Sequence, residues 1–213
     1  MTQCPICGSQ LIEQPDSPDG TQARAHYVYA VPRERFDHVG QESGSTDCGF
    51  FSGYVLSLNR RHNGQVNDMV ISQQDVYRAR EDFIGPTRNP TGPSTTWLHP
   101  GQTATYLERL GVAGYQNERA YVTQDNFHRI IGESLGRPNC YGVMIPCFQG
   151  TMGHWILVMG RADADRWVLY DSGPRPLGHV DGRPVYARIL PPDRIAGYGR
   201  NAITSVIRPS SGS

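Results

Sequence analysis

Cys48 has the surroundings of a nucleophilic thiol. It opens a segment of helical periodicity, and the field at a helix N-terminus favours the thiolate, which is the reactive form of cysteine. Thr46 and Asp47 precede it as residue types that can cap a helix, and Gly49 follows it, which we expect to leave room for a substrate carbonyl. The pattern therefore indicates attack by sulfur on an acyl carbon.

A thiol nucleophile also requires a base, and His154 is the best-placed histidine for that role. It follows Gly153 at the start of an apolar segment with strand character, so we expect it on a rigid element. Asp171 ends the next strand of the same predicted hairpin, which lets both side chains reach one end of the sheet. A carboxylate there would hold the imidazole in one tautomer and stabilise its cationic form.

The elements that position these residues begin with helices. The first predicted helix carries Phe51, Val55 and Leu58 on one face, and the second begins at Ser72 with the pattern of a capping box. Val76, Ala79 and Phe83 are predicted as the apolar face of the second helix. The predicted helices run from Thr46 to Gly64, from Ser72 to Gly85, from Gln102 to Leu110 and from Thr123 to Leu135.

Strand-forming residues dominate after Pro138, so the sequence predicts an α+β fold with an antiparallel sheet in its C-terminal part. An earlier strand is predicted from His26 to Val31. Residues 1–25 are predicted as a short knuckle and linker, and residues 26–213 as one catalytic domain. The later predicted strands are Tyr141 to Phe148, His154 to Met159, Arg166 to Tyr170, Pro184 to Leu190 and Ile203 to Ile207.

With these elements in place, the chain resembles papain-like thiol hydrolases. The form it resembles is the Cys-His-Asp form of bacteriocin-exporter leader peptidases and of bacterial effector proteases and deamidases. The resemblance covers roughly residues 41–174. The matching motifs are Asp47-Cys48-Gly49, Gly153-His154-Trp-Ile-Leu-Val158 and Trp167-Val-Leu-Tyr-Asp171.

The resemblance implies a papain-like fold, with the nucleophile at a helix start and with the histidine and aspartate on the sheet. It also implies that a glutamine shortly before the cysteine donates a hydrogen bond to the developing oxyanion, and Gln41 is the residue at that place. Transglutaminases and arylamine N-acetyltransferases share the order Cys, His, Asp. We rank both lower because Cys48 lacks tryptophan-rich or arginine-rich surroundings.

Cys4 and Cys7 form a separate Cys-Pro-Ile-Cys-Gly motif that looks like half of a zinc knuckle. A complete zinc site would need His26, His38 or a partner chain, so our prediction for the protein is that it requires no cofactor. The odd count of 5 cysteines disfavours a disulfide framework.

Composition limits the partners of this chain. Lys plus Arg and Asp plus Glu number 20 each, and a net charge of zero gives no electrostatic footprint for nucleic acid. No apolar run is long enough to span a membrane, and the N-terminus lacks the regions of a signal peptide. We therefore expect synthesis in the cytoplasm, and export by a specialised secretion system is compatible with the sequence.

The sequence predicts an amide hydrolase acting on proteins or peptides, a thiol protease of the effector or toxin kind, with an immunity or inhibitor protein as a conceivable partner. A glutamine deamidase or a peptidoglycan amidase would use the same three residues. A papain-like binding module without catalysis is the alternative of another class.

Overall fold

A computed structural model describes residues 2–3, 10–14, 26–29, 39–64, 69–123, 125–149, 152–161, 166–173, 178–180, 183–190 and 203–211. Helices and an antiparallel sheet in these ranges give an α+β fold. The helices are α1 (Cys48–Arg61), α2 (Gln73–Ile84), α3 (Pro100–Arg109) and α4 (Phe127–Leu135). The strands are β1 (Thr2–Gln3), β2 (Gln10–Gln14), β3 (His26–Tyr29), β4 (Tyr115–Val122), β5 (Val143–Gln149), β6 (Met152–Arg161), β7 (Trp167–Tyr170), β8 (Gly178–Val180), β9 (Arg183–Val185), β10 (Ala187–Leu190) and β11 (Ile203–Pro209).

One sheet of 9 strands has the order β1-β2-β3-β10-β7-β6-β5-β11-β4, and β8 pairs with β9 in a separate sheet of 2 strands. Every pairing in the larger sheet is antiparallel. Leu157 of β6 pairs with Tyr170 of β7, so the start of β6 lies beside the end of β7. Residues at those two positions therefore share one end of the sheet.

Both faces of the sheet are covered by helices. Trp155 and Leu157 of β6 pack in the hydrophobic cluster formed with α1, α2 and α3, while Ile156 and Val158 pack in the cluster formed with α4. Because successive side chains of a strand point to opposite faces, a strand buried on both sides is apolar at every position. This explains the uninterrupted apolar run of β6.

Helix α1 is buried over nearly its whole surface, including Phe50, Phe51, Val55 and Leu56. Its neighbours approach closely at Gly53, where a Cβ atom would stand 2.8 Å from Cε1 of Tyr106. A helix this enclosed is fixed in position, so its first residue is fixed as well.

Strand β4 lies in a part of the chain where the sequence pattern predicts no strand. Only its end residues, Tyr115 and Val122, are buried, and the residues between them are exposed or half-buried. It is an edge strand paired with β11. An edge strand that contributes little to the core lacks the alternation of apolar residues by which strands are recognised.

Helix α4 begins later than its sequence pattern predicts. The backbone N–H of Thr123 donates to Oδ1 of Asn126 at 2.8 Å, and Asn126 is the N-cap residue of the helix. The prediction of a helix start at Thr123 was therefore wrong, because the Asn126 side chain stabilises a turn ahead of the helix.

Helix α2 begins as predicted, with a capping box between Ser72 and Asp75, and Gly85 follows its last residue with φ of 86°. The predicted face is confirmed in part, since Val76 is buried and Phe83 packs partly buried against the core, while Ala79 is half-buried. The buried residues of the helix also include Tyr77 and Arg80.

At the N-terminus, β1 pairs with β2 and β2 pairs with β3, which extends the sheet on that side. The division of the chain after residue 25 stays a prediction, and the proposed linker lies outside the described residues. None of the helices α1 to α4, within the described residues, has the length and apolarity needed to cross a membrane.

Gly53→Ala should destabilise the fold by about 1–3 kcal/mol, because overpacking outweighs the gain in helix propensity. Tyr106 has little freedom to move, since it is fully buried and its hydroxyl donates to the Phe50 carbonyl at 3.2 Å. Urea unfolding followed by circular dichroism measures the change.

Gly132→Ala is the matched control in α4, where a Cβ atom would meet Trp167 at an ordinary 3.7 Å. It should stabilise the protein by roughly 1 kcal/mol. Equal effects of the two substitutions would contradict the close approach at Gly53.

Candidate active site

Cys48 is the first residue of α1 and is only 2% exposed. Its thiol makes a long contact of 4.0 Å with the carbonyl oxygen of Thr46, and it lies near enough to the imidazole of His154 to contribute to the raised pKa of that ring. The position follows from the burial of α1 against β6, because His154 is the chain neighbour of Trp155, which packs on α1.

His154 and Asp171 are brought together by the hairpin of β6 and β7. Nε2 of His154 and Oδ1 of Asp171 are 2.6 Å apart. The His154 side chain is 24% exposed and the Asp171 side chain is 6% exposed. Because Nε2 faces the carboxylate, Nδ1 is the nitrogen that remains for the thiol.

Gly173 completes the support of Asp171. Its backbone N–H donates to Oδ1 of Asp171 at 2.8 Å. A Cβ atom at this position would stand 3.0 Å from the same oxygen and 3.5 Å from Cε1 of His154. Glycine therefore gives the carboxylate and the imidazole the space they occupy.

The pKa of His154 is strongly raised. Burial lowers this pKa, but the hydrogen bond and charge of Asp171, together with those of Cys48, overcome it and raise the pKa from 6.5 to about 10. At neutral pH the imidazole is therefore cationic. A cationic imidazole beside a cysteine favours the thiolate and can donate its proton to a departing group.

Gln41 lies far in sequence from the segment that carries Asp171 but close to it in space. Its backbone N–H donates to the Ser172 carbonyl at 2.8 Å, and its side chain is buried. Nε2 donates to the Ser45 carbonyl at 3.3 Å, and Oε1 is buried without a hydrogen-bond partner among the residues that the structure describes. Its predicted role as oxyanion donor stays a prediction.

Asp47 is the N-cap residue of α1, but its side chain makes no capping hydrogen bond. The expectation that this carboxylate caps the helix was wrong. It instead forms an ion pair with Arg80, whose Nη1 is 3.1 Å from Oδ1, and both side chains are completely buried. The backbone N–H of Ser94 also donates to this carboxylate, at 2.9 Å.

The absence of a side chain at Gly49 leaves space for neighbouring side chains of the protein. A Cβ atom there would stand 2.8 Å from Cδ1 of Trp155 and 2.8 Å from Cβ of Leu98. Nε1 of Trp155 donates to the Leu98 carbonyl at 2.9 Å, which fixes the indole across the start of α1. The expectation that Gly49 leaves space for a substrate is replaced by a packing role.

Hydrogen bonds fix the segment around Gln41 against β7, which ends one residue before Asp171. The hydroxyl of Tyr170 donates to the Val39 carbonyl at 2.7 Å. The backbone N–H of Asp171 donates to the Tyr186 carbonyl at 2.8 Å. The residues on both sides of the site are thus connected by hydrogen bonds across the sheet end.

Sequence reasoning missed Arg80 and Gly173. Arg80 could have been noticed, because it lies four residues after the buried Val76 and so occupies the apolar face of α2, where an unpaired cation would be costly. Gly173 gave no such signal, since its role depends on the antiparallel pairing that places it near His154.

No group of three or more metal-ligating side chains occurs within the described ranges. Cys4, Cys7 and His38 lie outside those ranges, and so does the side chain of His26, so the zinc prediction remains untested. No protein-family model matches the chain, and no curated protein matches it.

The raised pKa of His154 predicts how stability depends on pH. A protonated imidazole stabilises the folded state fully below its unfolded pKa of 6.5, and this stabilisation is lost as the pH rises toward about 10. The wild-type free energy of unfolding should fall over that window. In Asp171→Asn the fall should be smaller, because the pKa of His154 is no longer raised by a carboxylate.

Urea unfolding at a series of pH values measures this dependence, and NMR titration of the His154 imidazole checks it directly. The same pH dependence in the wild-type protein and in Asp171→Asn would contradict the assignment of the raised pKa to Asp171.

Proposed function

We propose that this protein is a cysteine-nucleophile amide hydrolase of the papain-like kind, acting on protein or peptide substrates. The observation that carries the proposal is the 2.6 Å contact between His154 and Asp171 beside Cys48 at the start of α1. In this proposal the helices α1 to α3 and the sheet correspond to the two parts of a papain-like fold. An effector or toxin role belongs to the same proposal.

In the first half of the reaction, the Cys48 thiolate attacks the carbonyl carbon of the substrate amide. A carbon–sulfur bond forms, and the carbonyl π electrons move to oxygen, giving a tetrahedral oxyanion. When the carbonyl re-forms, the carbon–nitrogen bond breaks and the leaving amine takes the proton of the His154 imidazolium. The products of this step are a thioester and a neutral imidazole.

In the second half, water attacks the thioester carbonyl carbon and gives a proton to the neutral His154. The new tetrahedral oxyanion collapses with cleavage of the carbon–sulfur bond, which releases the carboxylic acid and restores the thiolate beside the imidazolium. Asp171 orients the ring through Nε2 and stabilises its cationic form in both halves.

The oxyanion requires hydrogen-bond donors that are already in place. The backbone N–H of Cys48 is at the start of α1, and the Gln41 amide carries a second N–H besides the one directed to Ser45. These two donors form the proposed oxyanion site.

Because Cys48 is almost completely buried, a substrate must present a narrow group to reach its sulfur. An extended backbone or a protruding side-chain amide can reach such a sulfur, whereas a flat protein surface cannot. Cleavage of a peptide amide is the activity we favour.

The test is a mass-spectrometric comparison of cell lysates treated with the wild-type protein and with Cys48→Ala. We expect new peptide termini with the wild-type protein and none with the variant, because the variant lacks the nucleophile. Cys140→Ala is the matched control. The hydroxyl of Tyr115 donates to the Cys140 sulfur, and burial raises the pKa of the Cys140 thiol. Removing this thiol should therefore leave the new peptide termini unchanged.

Other results of the same comparison would point elsewhere. Glutamine converted to glutamate without new termini would indicate a deamidase, and cleavage of purified cell-wall peptide alone would indicate an amidase. If no amide bond is cut in lysate or in cell-wall peptide, the hydrolase proposal fails and the binding-module hypothesis is favoured.

A second test needs no substrate. Iodoacetamide at mildly acidic pH should alkylate Cys48 in the wild-type protein, and in His154→Ala the rate should fall by about tenfold or more because the cationic partner is lost. Peptide-resolved mass spectrometry separates Cys48 from the other cysteines. Equal rates in both proteins would show that the thiol is not paired with His154.

A further inference from the structure

The buried carboxylate of Asp47 is the charged group next in sequence to Cys48. Aspartate is among the preferred N-cap residues because its carboxylate accepts the N–H groups of the second and third helical residues, here Gly49 and Phe50. Asp47 occupies the N-cap position without making that bond. Its carboxylate therefore leaves the amides at the start of α1 uncapped.

Four hydrogen-bond contacts hold the carboxylate away from the helix. Nη1 of Arg80 is 3.1 Å from Oδ1 and 3.2 Å from Oδ2. The Ser45 hydroxyl donates to Oδ2 at 2.6 Å, and the Ser94 N–H donates to the same oxygen at 2.9 Å. No solvent reaches either charged side chain, and among the described residues Arg80 is the cation that balances the negative charge of Asp47 at this depth.

Arg80 is held by partners other than Asp47. Its Nη1 donates to the Gly92 carbonyl at 2.9 Å, and its Nη2 donates to the Asn89 carbonyl at 2.8 Å and to Glu81 at 2.9 Å. The guanidinium cannot follow a moving carboxylate without breaking these bonds. The cation thus determines where the carboxylate lies.

We propose that Arg80 is a positioning residue for the nucleophile: it keeps the Asp47 carboxylate off the first-turn amides of α1 and neutralises its charge beside Cys48. This inference rests on the proposed hydrolase function. Without Arg80, the carboxylate loses its cation and two of its four contacts, so only the hydrogen bonds from Ser45 and Ser94 oppose its movement to the α1 amides. A carboxylate that caps α1 would occupy amides near the oxyanion and would disfavour a thiolate next to it.

Several other charged or titratable groups surround this end of α1. They come from α2, α3, the sheet end and the preceding loop. The other groups are Tyr77, Glu81, Tyr106, His154, Asp171 and Glu42.

The test measures the pH at which Cys48 alkylation reaches half its maximal rate, in folded protein. Arg80→Met leaves an unpaired anion beside the thiol, so the midpoint should move up by about half a pH unit or more. Asp47→Asn removes one of the two carboxylates that contact Arg80 and leaves Glu81 as the other, so the net charge near the thiol becomes more positive and the midpoint should move down. The double variant should return toward the wild-type midpoint.

The opposite directions separate positioning from structure. Both single variants remove one partner of a buried ion pair and should lower the stability of the fold. If the role of the pair were purely structural, the two alkylation midpoints would move in the same direction or both stay unchanged. Either of these results overturns the inference. If Arg80→Met does not fold, Asp47→Asn decides alone, and a midpoint that fails to move down overturns it. Loss of the His154 dependence of alkylation would instead count against the hydrolase itself.

Discussion

The ion pair between Asp47 and Arg80 is the constraint on which the arrangement of the site depends. Neither side chain is exposed, and removing one partner of such a pair typically costs about 3–5 kcal/mol because the other charge is left buried. The pair joins the start of α1 to α2, and through Ser94 it joins both to the loop that follows α2. Three chain segments therefore meet at one charge pair next to Cys48.

Close packing continues from this point into the sheet. The indole of Trp155 fills the space above Gly49, and its hydrogen bond to Leu98 fixes the loop between α2 and α3. Since His154 is the residue before Trp155, the contact that seats α1 on β6 also sets the distance between the thiol and the imidazole. A cationic imidazole then needs a counter-charge, and Asp171, the residue directly after β7, supplies it at the same sheet end.

Much of the fold was predictable because its elements have strong local signals. The capping box at Ser72, the glycine after α2 and the apolar run of β6 result from local hydrogen bonding or from burial on both faces, and both leave a pattern in neighbouring residues. Strand β4 left none, because an edge strand with exposed side chains is held mainly by its backbone pairing with β11.

By itself the sequence determined which residues could form the site, since residue type and order are enough to suggest a thiol, an imidazole and a carboxylate on adjacent elements. It also determined the α+β class through the change from helical to strand periodicity. Only the tertiary structure decided that Asp47 pairs with Arg80 instead of capping α1, that Gly49 accommodates Trp155, and that Gly173 supports Asp171. Each of these depends on contacts between residues that are distant in sequence or lie across a turn. Several partners are available to each side chain, and the three-dimensional arrangement, which local sequence patterns do not contain, decides which partner it contacts.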